Sequence, residues 1–211
     1  MAHGSVLSVN VGLPREIEWH GKRATTAIWK APVDGPVLVG EENLAGDEQA
    51  DRSVHGGIDK AVYAYAREDA EWWEGETDRP IDLGGFGENL TLRGVDVSRA
   101  LIGERWSIGS ALLEVAQPRI PCWKLGARMG DRGFPRRFLA ADRPGAYLRV
   151  IEQGSLAVGD DVVVVHRPTH HLTTARVAAI YHRERERANE LLAVPELSSG
   201  WHVWAERQGV Q

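Results

Sequence analysis

Apolar and polar residues alternate in short runs along most of the chain, the period of half-buried strands, and few segments carry the spacing of a helix. Val6 to Val11 alternates in this way, and Thr26 to Lys30 and Pro36 to Val39 read as further strands, with the turn residues Pro32 to Gly35 between them. On such a strand Thr26, Ile28 and Lys30 share one face. Ala61 to Ala66 is β-like, and Asp69 to Trp73 predicts a short helix with an acidic first turn. Glu88 to Leu92 predicts a strand. Arg105 to Ile108, the tight turn Gly109-Ser110 and Ala111 to Val115 predict a hairpin, with the loop carrying Cys122 directly after it. Phe134 to Ala141 suits a helix, and Ala146 to Ile151 and Asp161 to Val165 resume the strand pattern.

The period changes after Arg167-Pro168. Thr173 or Thr174 can cap a helix on which Val177, Ile180 and Tyr181 recur at helical spacing. Arg183 to Arg187 alternates in charge and predicts a solvated helix face, and Pro195 ends that segment. Ser198-Ser199 can cap a last helix with Trp201 and Trp204 on one side. The expected organisation is a mainly β, barrel-like unit over residues 1–168 and a small three-helix module over 169–211.

Composition narrows the function classes. A chain of 211 residues buries a core without covalent staples. Its single cysteine excludes an intramolecular disulfide, a Cys₂ or Cys₄ zinc site and an all-cysteine iron–sulfur cluster. No apolar run of about 18 residues is present, and the first residues lack a secretory pattern, so a cytoplasmic protein without a membrane span is expected. The net charge of −5 argues against stable nucleic-acid binding.

Three segments carry candidate chemistry. Cys122 lies in Gln117-Pro118-Arg119-Ile120-Pro121-Cys122-Trp123-Lys124-Leu125, where two prolines stiffen the approach. Arg119 and Lys124 supply positive charge, which favours the thiolate, a nucleophile and a soft metal ligand. A small buried hydrophobe is the alternative. The second segment runs through Gly46 to Asp51 and His55-Gly56-Gly57-Ile58-Asp59-Lys60. Paired glycines can present backbone N–H groups to an anion, flanked here by His55 and Lys60, or can form a plain surface turn. The third, Gly84-Gly85-Phe86-Gly87-Glu88-Asn89, lacks the third glycine of a dinucleotide fingerprint. Its Glu88 and Asn89 can aim at a pocket or satisfy loop backbone. Arg23 and Lys30 add basic charge, Lys30 as a phosphate contact or an edge residue. His166 and His170 are four apart, but Pro168 between them disfavours a helical zinc site.

In this order the segments resemble the MOSC domain, named for the C-terminal region of molybdenum cofactor sulfurase, and within it the YiiM-like branch. The likeness spans roughly residues 5 to 168, and the tail resembles the three-helix module that follows the domain in that branch. The resemblance implies a β-barrel-like fold and a molybdenum cofactor, molybdenum bound to molybdopterin, with the metal ligated by Cys122. It implies reduction of N-hydroxylated compounds, N-hydroxylated base analogues included. Carried over by position, His55, Gly56, Gly57, Lys60, Asn89 and Arg119 line the cofactor pocket, with His55 a candidate proton donor. Lys30 and Arg23 are added on charge alone. The chain has neither an iron–sulfur cysteine set nor a flavin fingerprint, so a separate electron-donor reductase is expected. The tail is a candidate for docking that partner or for homodimerisation, unless it packs on its own barrel. Other readings are a cofactor or sulfur carrier without turnover, a cysteine hydrolase pairing Cys122 with His55, and a non-catalytic interaction protein.

Overall fold

The computed structural model describes residues 4–50 and 56–209. Its strands are β1 (Gly4–Val11), β2 (Arg15–Trp19), β3 (Lys22–Thr26), β4 (Ala31–Pro32), β5 (Val37–Val39), β6 (Val62–Ala66), β7 (Leu90–Arg93), β8 (Arg105–Ile108), β9 (Ala111–Gln117), β10 (Ala146–Glu152), β11 (Gly154–Leu156) and β12 (Asp161–His166). The helices are α1 (Arg67–Thr77), α2 (Trp123–Met129), α3 (Phe134–Ala140), α4 (Thr174–Arg183) and α5 (Ser199–Gln208). Strands β12, β8, β9, β10, β6, β7 and β1 pair in that order, and β1 returns to β12 through Gly4↔Val162 and Ser5↔Asp161. The sheet is therefore a closed barrel, the expected mainly β architecture with helices at its C-terminal end. Closure leaves its strands without open edges.

Every barrel pairing is antiparallel except β6 with β7, which run parallel. A parallel pair needs a crossover, and α1 supplies it. Strand β6 is buried along its whole length because its alternation serves two cores. Val62, Ala64 and Ala66 point into the barrel, while Tyr63 and Tyr65 face a second, aromatic cluster with Trp73, Phe86, Leu125, Phe134 and Phe138. In that cluster Tyr65 lies 4.3 Å from Phe86, and Trp73 stacks on Phe138 at 6.1 Å. Leu125 places α2, and with it the residue after Pro121, against this outer core.

The strand expected over Thr26 to Lys30 ends at Thr26, and the residues to Lys30 are irregular. Lys22 to Thr26 instead pairs with Arg15 to Trp19 across a turn at His20 and Gly21, both with positive φ. Helix α2 stands where a loop was expected. In the tail, Thr173 caps α4 by accepting from the Arg176 N–H at 3.1 Å. The charged stretch that follows is a 3₁₀ segment, Arg185–Ala193, laced by Arg176 and Arg187 to Glu184 and Glu190. Val177, Ile180, Leu191, Leu197 and Trp201 join the barrel's own apolar cluster, so the tail packs on the barrel of its own chain. Arg149 fastens it, reaching Glu114, Asp59 and the Glu196 carbonyl from β10.

Because this apolar cluster is continuous, Leu191→Ala in the tail is expected to lower global stability by about 2–5 kcal/mol. Urea unfolding followed by tryptophan fluorescence and by far-UV circular dichroism should shift together as one transition.

Candidate functional site

The site begins with a layer of buried polar groups beneath one end of the barrel. Asp47 is 4 % exposed and Lys30 9 %, and their side chains form an ion pair. The same Asp47 oxygen accepts the Gly12 N–H at 2.8 Å, and its second oxygen accepts Asn89 Nδ2 at 2.8 Å. Asn89 Oδ1 accepts the Tyr63 N–H at 3.0 Å, which fixes the start of β6 against the start of β7. Burial pushes the Lys30 ammonium below the usual lysine range, while Asp47 pulls it back up. Glu88 is wholly inside: it accepts from Gly84 N and Thr91 Oγ1 with one oxygen and from Phe86 N with the other. Burial raises its pKa against those hydrogen bonds.

The glycines of this segment serve packing. A Cβ on Gly87, at φ +78°, would meet Ile28 Cγ1 at 2.6 Å, and one on Gly84 would meet the Lys30 carbonyl at 3.0 Å. Of the two roles open to Glu88 and Asn89, Glu88 takes loop support, while Asn89 both braces the start of β6 and lines the cleft.

Above this layer the chain leaves β9 at Gln117 and crosses Pro118 to Pro121 before Cys122, the residue at the N-terminal boundary of α2. Arg119 is buried, donates from Nη1 to the Phe86 carbonyl and lies with its guanidinium 4.9 Å from the Tyr63 ring centre. Burial alone would lower its pKa, but Tyr63, Tyr147 and the Cys122 thiol beside it raise it. Cys122 is half-buried and opens into a cleft that it lines together with Lys30, Lys60, Arg119, Lys124 and Tyr147.

The turn at Gly57 forms another wall. Gln49 Oε1 accepts the Gly57 N–H at 3.2 Å, while Gln49 Nε2 donates to the carbonyls of Glu42 and Lys60. Gly57 has φ +93°, a conformation that favours glycine, and a Cβ there would stand in open space. Lys60 ends the short turn Ile58–Lys60, and burial lowers its pKa while Asp59 raises it.

The structure thus brings Cys122, Lys60, Asn89, Arg119 and Lys30 to one cleft, with Gly56 and Gly57 along the adjoining groove. His55 lies outside the described residues. Arg23 does not join them: it sits on β3 in the outer hairpin, 83 % exposed and paired with Glu18 at 2.8 Å. Lys30 reaches the cleft from irregular chain rather than a strand end, because its ammonium is drawn in to Asp47. Sequence reasoning passed over the anchoring carboxylate of Asp47 and the ring of Tyr147. Asp47 sits within a quoted motif but looks like any acidic loop residue, and Tyr147 carries no signal beyond its strand alternation.

Comparison with known proteins places this geometry. The MOSC domain pattern matches residues 51–163. The Bacillus subtilis (strain 168) protein YflK is 34 % identical over 202 residues, covering 94 % of this chain and 91 % of its own. A Gibberella moniliformis protein named reductase is 35 % identical over 152 residues, 70 % of this chain but 27 % of that one. The crystal structure of YiiM from Geobacillus stearothermophilus superposes with a TM-score of 0.82 at 32 % identity, covering 97 % of this chain and 98 % of that one.

Removing one partner of a buried pair strands the other charge. Asp47→Ala is expected to cost about 3–5 kcal/mol in chemical denaturation, and Asp47→Ala with Lys30→Met should recover much of that loss.

Proposed function

The chain belongs to the MOSC domain family, and on that premise we propose that it is a molybdenum-cofactor-dependent reductase of N-hydroxylated compounds, N-hydroxylated base analogues among them. The observation that carries this reading is Cys122, the chain's single thiol, opening into a cleft lined by Lys30, Lys60, Arg119 and Lys124. The donor set fits the group. A thiolate is a soft ligand for a high-valent metal already held by the pterin's dithiolene sulfurs. The phosphate end of the pterin calls for cations, which Lys60 and Lys124 offer at the cleft. Lys30 is largely offset by Asp47, so it contributes position more than charge.

When bound, the cofactor supplies the two electrons of the reaction, renewed by a separate electron-donor reductase, since one cysteine cannot hold an iron–sulfur cluster. Cleaving an N–OH bond to N–H consumes two electrons and two protons and releases water. The protein therefore has to hold protons near the thiol. Burial raises the pKa of Tyr147, opposed by Arg119 and reinforced by the Cys122 thiolate, so its phenol stays protonated. Tyr147 lines the space beside Cys122 and can donate a hydrogen bond to the departing oxygen. His55 remains a second proton donor by its place in the sequence motif. Arg119, pinned on the Phe86 carbonyl, favours the thiolate form through its charge. A small-molecule substrate follows from this scheme, and no helix among the described residues is long and apolar enough to cross a membrane.

Expression in a host that makes molybdopterin tests the reading. Wild-type protein should carry molybdenum and reduce N6-hydroxyadenine with an artificial electron donor. Cys122→Ala should keep its circular dichroism and unfolding midpoint and lose turnover to background. Reduction that survives this substitution removes the mechanism, and bound molybdenum without wild-type turnover favours a carrier.

A further inference from the structure

A second space adjoins the cleft at the thiol. Cys122, Lys60 and Tyr147 line both, and from them a groove of about 600 Å³ runs outward to the helical tail. Its far wall is aromatic. Tyr181 on α4 meets Trp201 edge-on at 5.5 Å and Trp204 at 5.4 Å, and the two indoles of α5 are 6.0 Å apart. Trp201 cannot turn, because its Nε1 donates to Gln117 Oε1 at 2.9 Å, and Gln117 in turn holds the Asp59 carbonyl. Ile58, Pro118, Ile120 and Pro121 supply the aliphatic side. The carboxylate of Asp59 is paired with Arg149 at 2.9 Å, so it offers little to a cation.

Two glycines keep the groove open. A Cβ on Gly57 or on Gly200 would meet no atom within 4 Å. Gly200 is helical, at the start of α5, so its missing side chain answers no backbone demand. The volume falls within the roughly 300–1,000 Å³ of small-molecule sites, which combine apolar walls with a few polar groups at one end. Here the polar end is the thiol, Lys60 and Tyr147.

The geometry points to this groove as the substrate chamber, selective for flat aromatic N-hydroxylated compounds, with the N–OH group toward Cys122 and the ring against Tyr181, Trp201 and Trp204. The tail therefore carries specificity while the barrel carries the reacting end. This rests on the reading of Cys122 as the reaction centre, but ring recognition itself requires no cofactor. Both an aliphatic and an aromatic ring lose water on entering, yet only the aromatic ring gains stacking and edge contacts with the indoles.

The test uses the full chain without cofactor and two probes of matched size, N-phenylhydroxylamine and N-cyclohexylhydroxylamine, measured by calorimetry at pH 8, where both are neutral. The phenyl compound should bind about tenfold more tightly. Trp204→Ala should erase that preference, and Gly200→Phe, which fills the groove from a helical position, should abolish binding of both. Trp72→Ala, on α1, should change nothing. Circular dichroism and urea midpoints identify any variant that fails to fold, and Gly200→Leu serves as a milder plug. Equal affinity for the two probes, or binding indifferent to Gly200→Phe and Gly200→Leu, overturns the proposal. An intact aromatic preference in protein that never acquires molybdenum would count against the reductase reading alone.

Discussion

Asp47 accepts from the Lys30 ammonium, the Asn89 amide and the Gly12 N–H, three stretches of chain far apart in sequence. A carboxylate this deep is tolerable only when nearly every lone pair is engaged, because the interior does not solvate it. Meeting that demand fixes the end of β1, the irregular chain before β4 and the start of β7 with respect to one another. Asn89 extends the same network to the first N–H of β6 after Val62. The floor of the cleft is thus held by saturated polar contacts, which have few alternative arrangements, and the thiol above it inherits their rigidity.

The other side of the site is set by aromatic packing. Tyr63 and Tyr65 turn outward from β6, and their rings gather Phe86, Phe134, Phe138 and Leu125 of α2. Tyr63 also lies under the Arg119 guanidinium and donates from its hydroxyl to the Pro144 carbonyl at 2.9 Å. One strand therefore serves the barrel interior with its small residues and the Cys122 loop with its large ones. Prolines at 118 and 121 finish the arrangement by limiting what the loop backbone can do.

Much of this was legible in residue order. The hairpin over Arg105 to Val115, the strand within Ala61 to Ala66, a cap at Thr173 or Thr174 and the cysteine in its proline-stiffened loop all follow from local pattern, and the structure extends the hairpin to Gln117 and selects Thr173. The hairpin of β2 and β3 escaped notice because both of its faces are largely in water, so no apolar alternation marks it. Helix α2 was hidden by Gly126 at its centre, where glycine is needed because a Cβ would meet the Asp131 carbonyl at 2.9 Å. The exposed position of Arg23 depends on hairpin register, which charge cannot reveal. The roles of Asp47 and of the Tyr181–Trp201–Trp204 wall depend on contacts distant in sequence, such as Asp47 with Asn89 across 42 residues and Trp201 with Gln117 across 84.

The pairing of Gly4 and Ser5 with Val162 and Asp161 has a consequence for biosynthesis. During translation β4 can pair with the Asn10–Val11 end of the first strand, but its Gly4–Ser5 end has no partner on that flank until the last strand leaves the ribosome some 160 residues later, so the ring cannot shut on a partial product. Closing so distant a pair is slow, and the unpaired flank is exposed to other nascent chains in the interval. Until the ring shuts, the N-terminal end of that strand is a place where mispairing can start.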